Sequence, residues 1–231
     1  MDEQNFFKTY SGMESSFLLG DIVHSTERHY VRVTPRASGT STSLLYYELY
    51  KIMKTIGVYR IEHVVPNSIM LMHMRKWFSI NIYNFVQTYN NINLDTKLKF
   101  TNVSNTFKFY INSIKIGEIV LSSLRSENHS YDCDEMVFDA AINSNIDIPL
   151  YESMISNEHT KRIITVHSSF MVSDLKLENK YPQLKYYPFF LFWHIDILEY
   201  QQRMLNILDK YTYEDICLMK GKYDGRLRFY G

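Results

Sequence analysis

The alternation of short apolar segments and turns between positions 58 and 121 constrains the fold more than any other feature. Each segment has the length of a strand, and Asn and Ser dominate the breaks between them. The pattern predicts six strands, at 58–65, 69–76, 80–89, 97–101, 106–111 and 114–121. Because the connections are brief, we expect consecutive strands to pair antiparallel as a meander.

One amphipathic helix is expected to cover this sheet. Five apolar side chains share one helical face by their spacing: Leu45, Leu49, Ile52, Met53 and Ile56. Thr42 or Ser43 can cap the start of the helix, and Gly57 can take the left-handed conformation after its end.

The flanking segments complete the predicted architecture. Residues 1–16 are expected to form a polar arm. Residues 17–35 have a strand-like pattern, clearest in the alternation of His29, Val31 and Val33, and the segment 162–170 predicts a further strand. Residues 122–145 are polar and acidic, which is typical of a mobile connection, and Pro188 is well placed to begin a long aromatic helix over 188–219. The predicted fold class is α+β: residues 17–231 form a single domain with an antiparallel meander sheet of about six to eight strands.

Composition excludes several classes of protein. Lys and Arg total 25 and so do Asp and Glu, so the net charge is zero and wholesale binding of a polyanion is disfavoured. The two cysteines, Cys133 and Cys217, do not form a disulfide framework. With no secretory signal and no apolar span, we expect a soluble intracellular protein of the cytoplasm or nucleus. Abundant Tyr, Phe, Ile and Asn with scarce Ala point to an AT-rich genome, such as that of a virus or a parasitic microbe.

Three surfaces are candidate binding sites. Basic residues with interleaved Tyr would line one sheet face and bind nucleic acid: Lys97, Lys99, Lys108, Tyr110, Lys115, Arg226 and Arg228. A polar segment before the first helix could hold a phosphate: Arg32, Arg36, Ser38, Gly39, Thr40 and Ser41. A strongly aromatic segment could contact a protein partner: Phe189, Phe190, Phe192 and Trp193. Each surface also has an explanation without a ligand. The basic residues can line a solvated strand face, the polar segment can be a capped connection, and the aromatic segment can be buried in the core.

No pattern specifies catalysis. The sequence contains neither GxxxxGK[ST] nor GxGxxG nor GxSxG, and its eight histidines do not form an HExxH set. We interpret the acidic cluster Asp132, Asp134, Glu135 and Asp139, with His129 nearby, as solvated loop carboxylates. No metal site or cofactor is expected.

These observations favour a non-enzymatic structural or accessory subunit of a larger assembly, acting through a protein partner or a second copy of the chain. One alternative is a nucleic-acid-binding accessory factor that uses the basic sheet face. Another is an enzyme or binder of a phosphorylated ligand at the segment between Arg36 and Ser43.

Overall fold

The computed structural model describes residues 1–13, 16–34, 39–126, 129, 132–142, 144–156, 158–168 and 185–186. This part of the chain contains five helices, α1 Glu3–Ser11, α2 Phe17–His24, α3 Thr40–Lys54, α4 Ser68–Ile92 and α5 Asp147–Ile155. It also contains eight strands, β1 His29–Thr34, β2 Tyr59–Val65, β3 Leu98–Val103, β4 Thr106–Ile111, β5 Ile114–Ser123, β6 Glu135–Asp139, β7 Arg162–Ser168 and β8 Lys185–Tyr186. The predicted aromatic helix and the residues after it lie outside the described residues.

The strands form one mixed sheet in the order β3-β4-β5-β2-β6-β7-β1-β8. In this order, every neighbouring pair after β5 is parallel: β5-β2, β2-β6, β6-β7, β7-β1 and β1-β8. Only the pairs β3-β4 and β4-β5 are antiparallel. The predicted antiparallel meander is therefore wrong, and the architecture is α/β with a mostly parallel sheet. Parallel neighbours require crossover connections, and α3, α4 and α5 lie in these connections.

Helix α4 is the main reason for this difference. The segments 69–76 and 80–89, predicted as two strands, form a single helix of 25 residues. Asn67, predicted to lie in a hairpin turn, instead caps this helix, since its side chain accepts a hydrogen bond from the backbone N–H of Met70 at 3.0 Å. The buried side chains recur at helical spacing: Met74, Phe78, Ile82, Phe85 and Val86.

Three other predicted segments also differ from the structure. The expected arm contains α1, whose Phe6, Phe7 and Tyr10 are buried in the core. The residues before β1 form α2 rather than a strand. The supposed mobile connection at 122–145 contains β6, a central strand with all five residues buried.

Two hydrophobic cores sandwich the parallel part of the sheet. Helices α1 to α4 pack on one face and share a core with side chains of β1, β2 and β5, among them Tyr30, Ile61 and Ile119. Helix α5 packs on the other face against side chains such as Val64 and Phe138. In the described residues, no helix is long and apolar enough to cross a membrane.

Candidate functional site

The carboxyl ends of the parallel strands meet at one edge of the sheet, where ligands of open α/β folds bind. Strand β1 ends there at Thr34, β6 at Asp139 and β7 at Ser168, with Thr34 paired to Ser168 and Asp139 to Val166. Helix α3 begins six residues after the end of β1, so its first turn lies at the same edge. The site therefore has a strand–loop–helix unit beside the end of a second strand.

A short hydrogen bond joins these two elements. Ser41, in the first turn of α3, donates from Oγ to Oδ2 of Asp139 at 2.5 Å. The two residues are 98 positions apart in the chain, and Asp139 is almost fully buried. The contact fixes a hydroxyl and a carboxylate together at the N-terminus of α3.

The first turn of α3 can receive an anion. Gly39 precedes the helix with a left-handed backbone, at φ 76° and ψ 20°, and no side chain caps the first N–H groups of the helix. Thr40 Oγ1 donates to Thr34 Oγ1 at 2.9 Å, which ties the first helical residue to the end of β1. The backbone N–H groups that point out of a helix start and the helix dipole both favour a negatively charged group at this position.

A buried ion pair lies behind Asp139. His63 of β2 and Glu48 of α3 are both fully buried, and 2.6 Å separates His63 Nδ1 from Glu48 Oε1. His63 Nε2 has no hydrogen-bond partner among the residues that the structure describes, and it lies 3.8 Å from Asp139 Oδ2. Burial opposes the imidazolium, but Glu48 and Asp139 outweigh it and raise the pKa of His63. Burial also raises the pKa of Glu48. A single proton shared between His63 Nδ1 and Glu48 Oε1 accounts for both raised pKa values.

Only some of the predicted phosphate-binding residues are found at the site. Gly39, Thr40 and Ser41 lie together at the site, whereas Arg36 and Ser38 lie outside the described residues. The buried side chain of Arg32 is engaged elsewhere. Its guanidinium pairs with Asp21 at 3.2 Å and Glu27 at 3.0 Å, and its Cζ lies 4.0 Å from the centroid of the Tyr30 ring.

Sequence reasoning missed the carboxylate of Asp139, which completes the site. Asp139 and Glu135 were interpreted as solvated loop carboxylates, but both are buried in β6. The available signal was the apolar run Met136–Phe138, which ends in a single Asp and is followed by two alanines. A buried strand that ends in a carboxylate is a common way to present an acidic group at a sheet edge.

The segment from the end of β1 to the first turn of α3 matches part of a phosphate-binding motif. In the pattern GxxxxGK[ST], Gly39 stands at the second glycine and Ser41 at the final hydroxyl. Thr34 stands at the first glycine and Thr40 at the lysine. The segment thus keeps the turn glycine and the hydroxyl of a phosphate-binding loop and lacks its ammonium group.

The donor atoms at the site suit one particular metal. Hydroxyl and carboxylate oxygens are ligands that Mg²⁺ prefers, and Mg²⁺ bound with nucleotides usually takes its other ligands from phosphate and water. In the part of the chain that the structure describes, no three His, Cys, Asp or Glu side chains converge on a metal-sized site. Ser41 and Asp139 would therefore suit Mg²⁺ that arrives with a nucleotide rather than a metal held by protein side chains alone.

The other predicted surfaces are only partly described. Lys99, Lys108, Tyr110 and Lys115 lie on one face of β3, β4 and β5, and Lys97 directly precedes β3. Other members of these predicted sets lie outside the described residues: Phe189, Phe190, Phe192, Trp193, Arg226 and Arg228.

Comparison with known proteins gives a fold but no family. No family model and no curated protein matches the chain. Among solved structures, the large terminase of a thermophilic bacteriophage matches with a TM-score of 0.55 and 10% identity, covering 85% of this chain and 50% of that one. The large terminase ATPase domain of Thermus phage P74-26 matches with a TM-score of 0.52 and 15% identity, covering 70% of this chain and 68% of that one.

A second structure of the first of these terminases, determined in complex with ATP-γ-S, matches with a TM-score of 0.52 and 10% identity, covering 85% of this chain and 49% of that one. The chain thus spans about half the length of that terminase. These similarities show a terminase ATPase-like α/β fold. The expectation of a non-enzymatic structural or accessory subunit is contradicted, because the solved structures that share this fold are terminases, one of them matched through its ATPase domain.

Proposed function

We propose that this chain is a nucleoside-triphosphate-binding domain of the ATPase type, with its phosphate site at the start of α3. The observation that carries the proposal is the 2.5 Å contact between Ser41 and Asp139. In phosphate-binding loops the hydroxyl that follows the glycine and the carboxylate at the end of a neighbouring strand together hold Mg²⁺. The ATPase-like fold supports the same site, since its strand–loop–helix unit lies at this edge.

The chain's own groups divide the work of binding. The first N–H groups of α3 would receive the phosphate oxygens, and Ser41 and Asp139 would hold the cation. Bound Mg²⁺ would supply charge neutralisation of the phosphates. Since Thr40 offers no ammonium group, Arg36 is the cation of the loop sequence that can contact the phosphates.

The direct test is equilibrium binding of a fluorescent ATP analogue with Mg²⁺, together with phosphate release from ATP. We expect Asp139→Asn to weaken binding at least about tenfold, because a carboxylate contact to the cation is worth roughly 1.5–3 kcal/mol. Asp95→Asn is the matched control, because Asp95 is exposed in a turn far along the chain from the site. Equal affinity of both variants, or a dissociation constant above about 1 mM for the unmodified protein, would contradict the proposal.

A gain-of-function variant tests the missing ammonium group. Thr40 is only half-buried, so Thr40→Lys can extend toward the phosphates from the position that lysine has in the motif. One charge-assisted contact predicts about 10- to 100-fold tighter binding. The same substitution also removes the hydroxyl contact to Thr34, so Thr40→Val serves as the control. If Thr40→Lys binds no better than Thr40→Val, phosphate does not lie at the start of α3.

The expected protein partner or homo-oligomer remains a proposal. Light scattering of the full chain with and without Mg²⁺-ATP tests it, and a monomer under both conditions would contradict it.

A further inference from the structure

The antiparallel corner of the sheet has one core face and one polar face. Side chains on the core face pack under α3 and α4: Leu98, Phe107, Phe109 and Ile119 are fully buried. On the opposite face, Lys99 pairs across the strands with Tyr110, and Tyr110 with Lys115. Tyr110 on β4 therefore lies between Lys99 on β3 and Lys115 on β5, and the two outer strands of this row are about 10 Å apart.

This polar face is open in the described part of the molecule. The second core, which covers that side of the sheet, takes no side chain from β3, β4 or β5. Lys99 is exposed, while Lys108, Tyr110 and Lys115 are half-buried. The lysine stems thus lie along the sheet while their charged ends reach solvent.

The face is strongly basic although the whole chain is neutral. Residues 97–123 contain four lysines and a single acidic residue, Glu118, so this segment carries a net charge of +3. Glu118 contacts Lys115 at 2.8 Å and Arg60 of the neighbouring β2 at 3.1 Å. Lys108 lies opposite Glu118 in the register of β4 and β5, but the contacts of Glu118 found among the described residues are to Lys115 and Arg60, so the face keeps an excess of positive charge for a ligand.

We propose that this face binds single-stranded nucleic acid, with backbone phosphates on Lys99, Lys108 and Lys115 and one base stacked on Tyr110. Lysines that flank a half-buried aromatic ring match a single strand, whose phosphates and bases are presented together. A duplex fits less well because its bases are stacked inside and cannot reach Tyr110. The face belongs to β3, β4 and β5, so the proposal does not depend on the phosphate site at α3.

Fluorescence anisotropy with a labelled oligothymidylate of about 16 nucleotides tests the proposal on the full chain. Binding should be measurable at about 50 mM salt and should weaken steeply by about 200 mM. The double variant Lys99→Ala/Lys108→Ala should weaken binding at least about tenfold and lower the salt slope by about 1.4, since each lost phosphate contact accounts for about 0.7. The matched control is Lys54→Ala/Lys76→Ala, which removes the same charge from exposed positions in α3 and α4.

The ring is tested separately from the charge. Tyr110→Ala should weaken binding about tenfold through lost stacking, while Tyr110→Phe keeps the π-face and should retain near-normal affinity. Circular dichroism checks that each variant is folded. Equal losses in the basic-face and control pairs, efficient competition by an unlabelled duplex, or no binding at about 50 mM salt would each overturn the proposal. Asp139→Asn should leave oligonucleotide binding unchanged, which separates this result from failure of the nucleotide site.

Discussion

Replacing Glu48 by leucine should destabilise the protein more than any surface substitution, because it strips a buried imidazolium of its partner. Glu48 and His63 are both fully buried, and their closest atoms are 2.6 Å apart. Breaking one side of a buried ion pair costs about 3–5 kcal/mol, because His63 then keeps only the more distant carboxylate of Asp139, at 3.8 Å. With a urea m-value of about 2–3 kcal/mol per molar, the unfolding midpoint should fall by about 1–2 M, as followed by circular dichroism.

A double-mutant cycle separates the pair from the packing of its two side chains. His63→Leu alone should also destabilise strongly, because it leaves the Glu48 and Asp139 carboxylates facing each other across the site. Glu48→Leu/His63→Leu should cost much less than the sum of the single variants, since an apolar pair replaces two buried charges. Lys161→Leu is a matched control. Its ammonium group contacts Asp134 at the same distance of 2.6 Å but is mostly exposed, so no comparable loss is expected.

The dependence of this loss on pH has a definite sign. The folded-state pKa of His63 is raised above its ordinary 6.5, so the folded protein holds this proton more tightly than the unfolded chain. The resulting stabilisation is complete below pH 6.5 and disappears as pH rises through the folded pKa. The loss on Glu48→Leu should therefore be largest below pH 6.5 and shrink as the pH rises through the folded-state pKa of His63. A single-variant loss below about 1 kcal/mol, or one that grows with pH, would refute the argument.

Three further substitutions or reactions test the fold. Asn67→Ala should cost about 1 kcal/mol in chemical denaturation, because it removes the cap of α4, whereas a turn residue would cost less. Gly117→Ala should cost about 1–3 kcal/mol, since the new Cβ would lie 2.7 Å from the backbone oxygen of Tyr59; an unchanged unfolding midpoint would place the strands further apart. Burial raises the pKa of the Cys133 thiol to about 12, so in a Cys217→Ser variant a thiol reagent should react only after unfolding, and rapid labelling of the native protein would contradict that burial.

The sequence was informative where structure depends on neighbours along the chain. The strands at 97–101, 106–111 and 114–121 are present as β3, β4 and β5, because each alternates apolar and polar residues and short turns join them. The helix over 45–56 was also predicted from its apolar face, although it begins earlier, at Thr40, and ends at Lys54. Each of these elements packs one side against a core and exposes the other. Apolar and polar residues therefore recur at the period of the strand or helix, and this is the pattern that a sequence shows.

The errors arise where that condition fails. Helix α4 carries exposed apolar side chains, including Ile69, Met72 and Ile80, and these obscure its helical period. Strand β6 is buried on both faces and therefore shows no alternation. Once α4 was interpreted as two strands, the crossover between β2 and β5 was lost, and with it the parallel order of the sheet.

The candidate site depends on this same parallel order. Ser41 and Asp139 meet only because β7 alone separates β1 from β6, an arrangement that no local pattern encodes. Partial evidence was available from the sequence, since the polar segment before α3 was recognised as a helix N-terminus able to hold a phosphate. What the sequence could not supply was the second element, the carboxylate that turns a helix start into a site with two different ligands.

If a phosphate binds at the start of α3 as we propose, other charges at this edge of the sheet must replace the lysine of the pattern GxxxxGK[ST]. In the described residues, the only cationic group in ion-pair range of Asp139 is His63, which approaches from the core side at 3.8 Å. That side chain offsets the Asp139 carboxylate and is itself paired with Glu48, so it brings no net positive charge to a phosphate at the start of α3. Neutralisation must then come from Mg²⁺, the helix N-terminus and the loop between β1 and α3. Nucleotide affinity should accordingly depend more steeply on Mg²⁺ than in a site that retains its ammonium group, and the Thr40→Lys protein provides that comparison within the same fold.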